Sequence, residues 1–139
     1  MIDVAYIALG SNLGDREKFL SVARTEIGRL PGTRVLASTA AEETDPIGPP
    51  GQGRYLNQML AIETELDPHA LLRALQDIER LAGRVRSQRW GPRTLDLDIV
   101  KFERQRVSDA RLVVPHPGLE QRDFWRRELA ELSASEATG

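Results

Sequence analysis

Apolar and polar positions follow the two-residue period of strands over much of the chain. An apolar run at residues 4–9 predicts a buried strand, and a shorter run at residues 35–40 predicts a second. Residues 55–64 and 95–102 alternate between two faces, so each is predicted to form a strand with one face in the core. Four strands are therefore expected.

Two helices are predicted by apolar residues that recur every three or four positions. The first follows Asp15, a residue type suited to cap a helix, and ends before a Pro-Gly pair. The second follows Asp67 and a proline and ends at Gly83. His69, in the first turn of the second helix, is expected to face solvent. The apolar stripe of that helix comprises Leu71, Leu72, Leu75, Ile78 and Leu81.

Two segments show neither period and are predicted to be loops. Residues 42–53 contain three prolines and three glycines, which leaves backbone amides and carbonyls available to water or a ligand. A loop of this length in a small domain is often functional, although a flexible connector would have the same composition. Residues 84–94 form the second loop. Near the C-terminus, Phe124 begins a short predicted helix, and residues 133–139 are expected to fray.

Opposite charges concentrate in the second loop and the strand that follows it. Alternation places two aspartates of this strand on one face, with their Cα atoms roughly 6.6 Å apart, so both could flank a hard cation such as Mg²⁺. Guanidinium groups chelate phosphate oxygens through a planar fork of donors. The pattern therefore predicts a site for a polyphosphate with its metal, although a solvated loop and strand face would use the same residues. The residues concerned are Arg84, Arg86, Arg89, Arg93, Asp96 and Asp98.

Three further side chains are candidates for ligand contacts. Tyr55 and Asn57 share one face of a predicted strand, where they could stack on and hydrogen-bond to a flat heterocycle. A surface tyrosine and asparagine would give the same pattern. His116 lies between two prolines, a stiff presentation for a group that could donate to phosphate or act as an acid, although an exposed histidine is the alternative.

Composition narrows the class of protein. A length of 139 residues predicts one domain over residues 1–139, and the net charge of -2 argues against a general nucleic-acid binder. Cysteine is absent, which excludes disulfides and thiolate chemistry. Neither a secretory leader nor an apolar run long enough for a membrane span is apparent, so a cytoplasmic monomer without membrane or nucleic-acid partners is expected.

Residues 89–99, Arg-Trp-Gly-Pro-Arg-Thr-Leu-Asp-Leu-Asp-Ile, resemble the signature of the 6-hydroxymethyl-7,8-dihydropterin pyrophosphokinase family of folate biosynthesis. The resemblance covers nearly the whole chain, and an eleven-residue signature is highly specific. Five other stretches agree in type and order, at residues 5–13, 44–48, 55–57, 83–86 and 114–117.

The resemblance implies a reaction and a fold. The β,γ-pyrophosphoryl group of MgATP would pass to the hydroxymethyl oxygen of the pterin, and AMP would be released. The implied fold is α+β and ferredoxin-like, with an antiparallel sheet, helices packed on one face and mobile catalytic loops. The predicted order strand, helix, strand, strand, helix, strand is compatible with that fold. One departure is the segment Trp125-Arg126-Arg127-Glu128, where the family is mostly apolar.

Roles follow by position from the same resemblance. Asp96 and Asp98 would hold two Mg²⁺ ions, and Arg84 and Arg93 would neutralise charge that develops on the transferred group. The pterin ring would lie between Tyr55 and Phe124. Contacts to ATP would come from Gln76, Arg84, Arg89, Trp90, Arg93, Ile99, Arg111, Leu112, Val113, His116 and Arg122. Contacts to the pterin would come from Thr44, Pro46, Ile47, Tyr55, Asn57, Trp90, Asp96 and Phe124.

Two other classes of function are compatible with parts of the sequence. A ferredoxin-like binding module could sense a nucleotide or a pterin without turnover. A single-stranded RNA binder could use a sheet face and the arginine-rich loop. The sequence lacks the aromatic-rich strand motif and the basic net charge that are typical of RNA-binding domains of this kind.

Overall fold

The computed structural model combines strands and helices and describes residues 2–45, 53–83 and 95–138, with side chains described as far as residue 133. Its mixed content confirms the α+β class. A 3₁₀ helix spans Pro117–Gln121. The other elements are β1 (Asp3–Ser11), α1 (Arg16–Gly28), β2 (Thr33–Ser38), β3 (Glu42–Thr44), β4 (Tyr55–Thr64), α2 (Pro68–Leu81), β5 (Asp96–Phe102), β6 (Val107–Ser108), β7 (Val113–Val114) and α3 (Asp123–Thr138).

Five of the strands form one antiparallel sheet in the order β2-β4-β1-β5, with β3 also paired to β4. The apolar run of β1 lies at its centre, where Ala5, Ile7 and Leu9 are almost fully buried. β2 and β3 share one edge of β4, at opposite ends of that longer strand. β6 and β7 form a separate two-stranded ribbon.

α1 and α2 pack on one face of the sheet and form the larger core with it. Asp15 caps α1 by accepting a hydrogen bond from the Lys18 amide, and Asp67 caps α2 by accepting from the Ala70 amide. Gly83 then adopts a φ of 79°, a left-handed conformation that glycine allows at the end of a helix. Both predicted helices and both caps are confirmed.

α3 packs on the opposite face, which corrects the prediction that the helices share one face. Trp125 and Leu132 of α3 join a second core cluster with Tyr6, Met59 and Val100 of the sheet. Because this face of the sheet is also apolar near its middle, a helix is needed to remove it from water. α3 continues to Thr138, so the predicted fraying from residue 133 is wrong for the backbone of residues 133–138.

Two local predictions are also wrong. Part of the predicted irregular loop, Glu42–Thr44, is strand β3, because the edge of β4 beyond β2 offers unpaired backbone groups that it can bond. Leu81 is 76% exposed and does not join the buried stripe, since α2 ends at this residue. Within the described residues, no helix combines the length and apolar character needed to cross a membrane.

Candidate active site

The two aspartates of β5 lie on the face of the sheet that α3 partly covers. Leu95, Leu97 and Ile99 belong to the core formed with α1 and α2, whereas Val100 belongs to the cluster formed with α3. The predicted alternation is therefore confirmed, and Asp96 and Asp98 share one strand face. Both are partly exposed, as a binding group must be.

β1 and β4 bring two more candidate residues next to this pair. Gly10 of β1 is registered with Asn57 on one side and with Asp96 on the other. The Tyr55 hydroxyl lies 3.5 Å from Asp96 Oδ2. A Cβ atom at Gly10 would lie 3.3 Å from Asn57 Oδ1 and 3.3 Å from Tyr55 Cδ1. The missing side chain at Gly10 thus leaves the space through which the tyrosine approaches the aspartate.

Strand β3 adds Thr44 to the same region. Thr44 is registered with Tyr55, and its Oγ1 accepts a hydrogen bond of 2.5 Å from Asn57 Nδ2. Asn57 is 8% exposed, so its amide is held in a largely buried position. An orientated amide beside an aromatic ring suits recognition of the hydrogen-bonding edge of a flat heterocycle.

His116 is held rigidly beside the second aspartate. The His116 amide donates to the Val100 carbonyl, which ties the residue to β5. Nδ1 accepts from the Gly118 amide at 2.9 Å, so a neutral ring carries its proton on Nε2, which lies 3.7 Å from Asp98 Oδ1. Burial, and then the charge of Arg122, lower the pKa of His116, so the ring is neutral at pH 7.

Arg122 and Phe124 flank the start of α3. The Arg122 guanidinium carbon lies 4.3 Å from the centre of the Trp125 ring, and the His116 ring meets the same indole edge-on at 5.0 Å. Phe124 contacts Trp125 at 6.3 Å between ring centres and packs on the α3 side of the sheet. Three predicted site residues are therefore grouped around one tryptophan.

Gln76 and Arg111 line a separate cleft of about 360 Å³, together with His69, Leu72 and Arg73. The cleft lies between α2 and the turn that precedes β7. Of the other residues predicted for the nucleotide, Ile99 and Leu112 direct their side chains into the core, while Val113 is 41% exposed.

Asp109 shapes the turn that carries Arg111. Its Oδ1 accepts from the amides of Arg111 and Leu112, and its Oδ2 lies 2.8 Å from His69 Nε2. These bonds, the two backbone ones first, lower the pKa of Asp109. The His69 side chain is 37% exposed, in line with the prediction that it faces solvent, but the bond to Asp109 was not predicted. An aspartate often accepts hydrogen bonds from the amides two and three residues after it, in an Asx turn. This tendency could have identified Asp109 from the sequence.

Glu79 is a second residue near the site that was not predicted from the sequence. It is 4% exposed, and its Oε2 accepts a hydrogen bond of 2.8 Å from the amide of Leu97, between the two aspartates. Glu79 follows Ile78 of the apolar stripe of α2, and no local sequence pattern predicts its hydrogen bond to Leu97. The remaining predicted site residues lie outside the described residues; they are Pro46, Ile47, Arg84, Arg89, Trp90 and Arg93.

The donor set at Asp96 and Asp98 fits magnesium in part. Carboxylate oxygens on one strand face are ligands that Mg²⁺ accepts, and this ion normally completes its shell with water and substrate phosphates. Across the part of the chain that the structure describes, no group of three or more histidine, aspartate, glutamate or cysteine side chains could hold a metal. Two carboxylates on one strand face suit a metal that arrives with a polyphosphate.

Comparisons with known proteins agree along most of the chain. A family model described as 7,8-dihydro-6-hydroxymethylpterin-pyrophosphokinase matches residues 6–134. This chain is also similar to three bacterial proteins named 2-amino-4-hydroxy-6-hydroxymethyldihydropteridine pyrophosphokinase. The protein of Methylorubrum extorquens is 45% identical over 93% of this chain and 82% of its own length. The protein of Bacillus subtilis is 44% identical over 95% of this chain and 79% of its own length. The protein of Pseudomonas aeruginosa is 46% identical over 96% of this chain and 82% of its own length.

A match over this share of the chain, at this identity, shows common descent and a common fold. It agrees with the signature at residues 89–99 and with the antiparallel sheet that carries Asp96 and Asp98. The chain belongs to the 7,8-dihydro-6-hydroxymethylpterin pyrophosphokinase family.

Proposed function

We propose that this protein transfers the β,γ-pyrophosphoryl group of MgATP to the hydroxymethyl oxygen of 6-hydroxymethyl-7,8-dihydropterin and releases AMP, a step of folate biosynthesis. The observation that carries the proposal is the grouping of Tyr55, Asn57, Asp96, Asp98 and His116 on one face of the sheet. Membership of the pyrophosphokinase family supports the same reaction.

Asp96 and Asp98 are the residues that would hold magnesium, and two ions are proposed. Bound there with ATP, magnesium would offset negative charge on the phosphates and polarise the phosphorus that is attacked. The strand keeps both carboxylates on one side, so they need little rearrangement when the metal-nucleotide arrives. Glu79 bonds the backbone between them, which stabilises that arrangement.

The pterin is proposed to lie between Tyr55 and Phe124. The hydrogen bond between Asn57 and Thr44 orientates the amide, so that its remaining donor and acceptor positions can read a ring edge. Asp96, 3.5 Å from the Tyr55 hydroxyl, lies where this ring would meet the metal-bound phosphates. Positioning of the hydroxymethyl oxygen against the phosphorus is the main contribution that such a site can make.

The triphosphate is proposed to contact His116 and Arg122, and the nucleoside the cleft at Gln76 and Arg111. His116 presents Nε2–H beside Asp98, and Arg122 presents a guanidinium fork. Arg84, Arg89, Trp90 and Arg93 are proposed for the same ligand from their sequence positions. The arginines would neutralise charge that develops during transfer.

Five finer expectations also belong to this proposal. The fold is proposed to be ferredoxin-like, which the antiparallel order β2-β4-β1-β5 with two helices on one face supports. The chain is proposed to act as a single domain and as a monomer in the cytoplasm. Closure over both substrates, to exclude water, is proposed from composition for residues 84–92 and for the part of residues 42–53 that follows strand β3.

The test is AMP release from MgATP with and without the pterin, for the wild type and two variants. We expect Asp98→Ala to lower kcat at least a hundredfold, because several kcal/mol of charge stabilisation depend on the metal. Asp77→Ala, which removes an exposed carboxylate of α2, is the matched control and should retain full activity.

Two outcomes would reject the assignment. Full activity of Asp98→Ala would exclude the metal role. Binding of MgATP and of the pterin in calorimetry, with no AMP formed by the wild type, would favour a sensing module in place of an enzyme.

A further inference from the structure

Trp125 lies at the centre of a cluster formed by Arg122, His116 and Gly118. It is 4% exposed and lies in the first turn of α3, where its amide donates to the Arg122 carbonyl. The indole packs in the core cluster with Tyr6 and other residues of the sheet. Its ring faces two side chains that the proposed function places on the triphosphate of ATP.

The Arg122 guanidinium lies close to both the indole and Gly118. Its carbon lies 4.3 Å from the centre of the indole ring, a distance at which a cation is attracted to the aromatic face. A Cβ atom at Gly118 would overlap Arg122 Nη1 and would lie 3.1 Å from His116 Nδ1. The missing side chain at Gly118 therefore leaves the space that the guanidinium occupies beside the indole.

One donor of this guanidinium is buried without a bond. Arg122 Nη1 has no hydrogen-bond partner among the described residues, although a buried donor is normally paired. The arginine is thus held in place by the indole and Gly118, and not by an acidic partner of its own in the described part of the chain. A donor held this way is available to an anion.

The same indole restrains His116. The two rings meet edge-on, at 88° and 5.0 Å between centres, while the imidazole Nδ1 accepts from the Gly118 amide. Rotation of the imidazole would lose both contacts. Its Nε2 therefore stays directed towards Asp98, the same side of the sheet as the proposed metal-phosphate site.

We propose that Trp125 is a positioning residue that orientates Arg122 and His116 together for the phosphate chain of the nucleotide. The inference rests on the proposed function, which supplies the anion. Trp125 touches no substrate itself; it acts by holding two donors in a binding geometry before ATP arrives, so that little side-chain entropy is lost on binding.

The first experiment measures binding and not turnover. Calorimetry with Mg²⁺ and α,β-methylene ATP, an analogue that cannot transfer its pyrophosphoryl group, gives a Kd for each variant. We expect Trp125→Leu to raise this Kd about tenfold, equivalent to about 1.4 kcal/mol. Trp125→Phe retains an aromatic face and should stay within about threefold of wild type. A Kd for Trp125→Leu within twofold of wild type would overturn the proposal.

A second variant tests the geometry without altering the core. Gly118→Ala places a methyl group against the Arg122 guanidinium and 3.1 Å from His116 Nδ1, so the flexible end of the arginine must shift. We expect the Kd to rise about fivefold with the Tm unchanged. This variant decides the matter if Trp125→Leu does not fold, because an unchanged Kd for Gly118→Ala would equally reject the role of the stacked arginine.

Leu132→Ala is the matched control for general loosening of α3. Leu132 is 1% exposed, belongs to the same cluster and helix, and lies about two turns beyond Trp125. Its truncation should lower the Tm but leave the Kd unchanged. A rise in Kd as large as that of Trp125→Leu would mean that packing alone is responsible, and the proposal would fail.

Two further readouts separate this inference from the proposed function. In an Arg122→Ala background, Trp125→Leu should raise the Kd no more than about threefold, whereas a full tenfold effect would contradict action through Arg122. In the enzyme assay, Trp125→Leu should raise the KM for ATP more than the KM for the pterin, which it affects only through the contact between Trp125 and Phe124. If the wild type forms no AMP, the proposed reaction fails, but the calorimetry still tests Trp125.

Discussion

Gly10 is a residue whose importance comes from an absent side chain. It lies in the middle of β1, registered with Asn57 and Asp96, and its face of the sheet is the one that Tyr55 crosses. Its φ is not in the left-handed region, so backbone conformation does not require glycine there. Space for the tyrosine ring and the asparagine amide is the physical reason for it.

We expect Gly10→Ala to raise the KM for the pterin about tenfold, equivalent to about 1.4 kcal/mol. The added methyl group would lie 3.3 Å from both Asn57 Oδ1 and Tyr55 Cδ1, so each must shift by a few tenths of an ångström. Steady-state kinetics with the pterin varied at saturating MgATP measures the effect.

Gly28→Ala serves as its control. A Cβ atom at Gly28 would make an ordinary contact of 3.8 Å with Val35, at the end of α1 and away from the site. The KM should not change, and better helix propensity should raise stability slightly. An unchanged KM in Gly10→Ala would show that the space at Gly10 does not serve pterin binding.

At the scale of elements, α2 supports the strand that carries the aspartates. β5 is an edge strand, and the Leu97 amide on its outer side would lack a partner without the buried carboxylate of Glu79. The helix therefore completes the hydrogen bonding of the sheet at the residue between Asp96 and Asp98.

Replacement of Glu79 tests this contact through stability. Glu79→Leu leaves the Leu97 amide unpaired, and we expect the free energy of unfolding in urea to fall by about 1–3 kcal/mol. Glu79→Gln retains an acceptor oxygen and should lose less than half as much. Equal losses in the two variants would argue that the hydrogen bond to the strand is not what Glu79 contributes.

At the scale of the whole molecule, one buried acid links stability to pH. Glu128 of α3 is 2% exposed, and neither carboxyl oxygen has a hydrogen-bond partner among the described residues. Burial, and then the nearby charge of Glu42, raise the pKa of Glu128 from 4.5 to about 8. The positive charge of Arg127 opposes this rise in pKa, but the hydrogen bonds of its guanidinium go to Glu42.

Because the native state holds this proton more tightly than the unfolded state, Glu128 favours folding most below about pH 4.5, and that stability is lost as pH rises to about 8. We expect the Tm to fall between pH 6 and pH 9 in the wild type and to fall less in Glu128→Gln. Glu128→Leu should raise the free energy of unfolding at pH 8 by about 1–3 kcal/mol.

Thermal unfolding followed by circular dichroism at the two pH values measures these changes. Glu120→Gln, at an exposed position of the 3₁₀ helix that precedes α3, is the control and should reproduce the wild-type pH dependence. Identical pH profiles for Glu128→Gln and the wild type would contradict a buried, protonated Glu128.

The sequence by itself determined the features that depend on local geometry. A strand repeats every two residues, so the alternation in residues 95–100 was sufficient to predict that Asp96 and Asp98 share a face. The caps at Asp15 and Asp67 were predictable for the same reason, since each bonds an amide only three residues away. The signature at residues 89–99 identified the family without any structure.

Only the tertiary structure decided which distant residues meet. The packing of α3 on the second face, the pairing of β3 with β4, and the bonds His69–Asp109 and Glu79–Leu97 all join residues far apart in sequence. Such contacts follow from which surfaces remain to be covered once the sheet has formed, and no local period encodes that. The grouping of Arg122 and His116 around Trp125 arises in the same way.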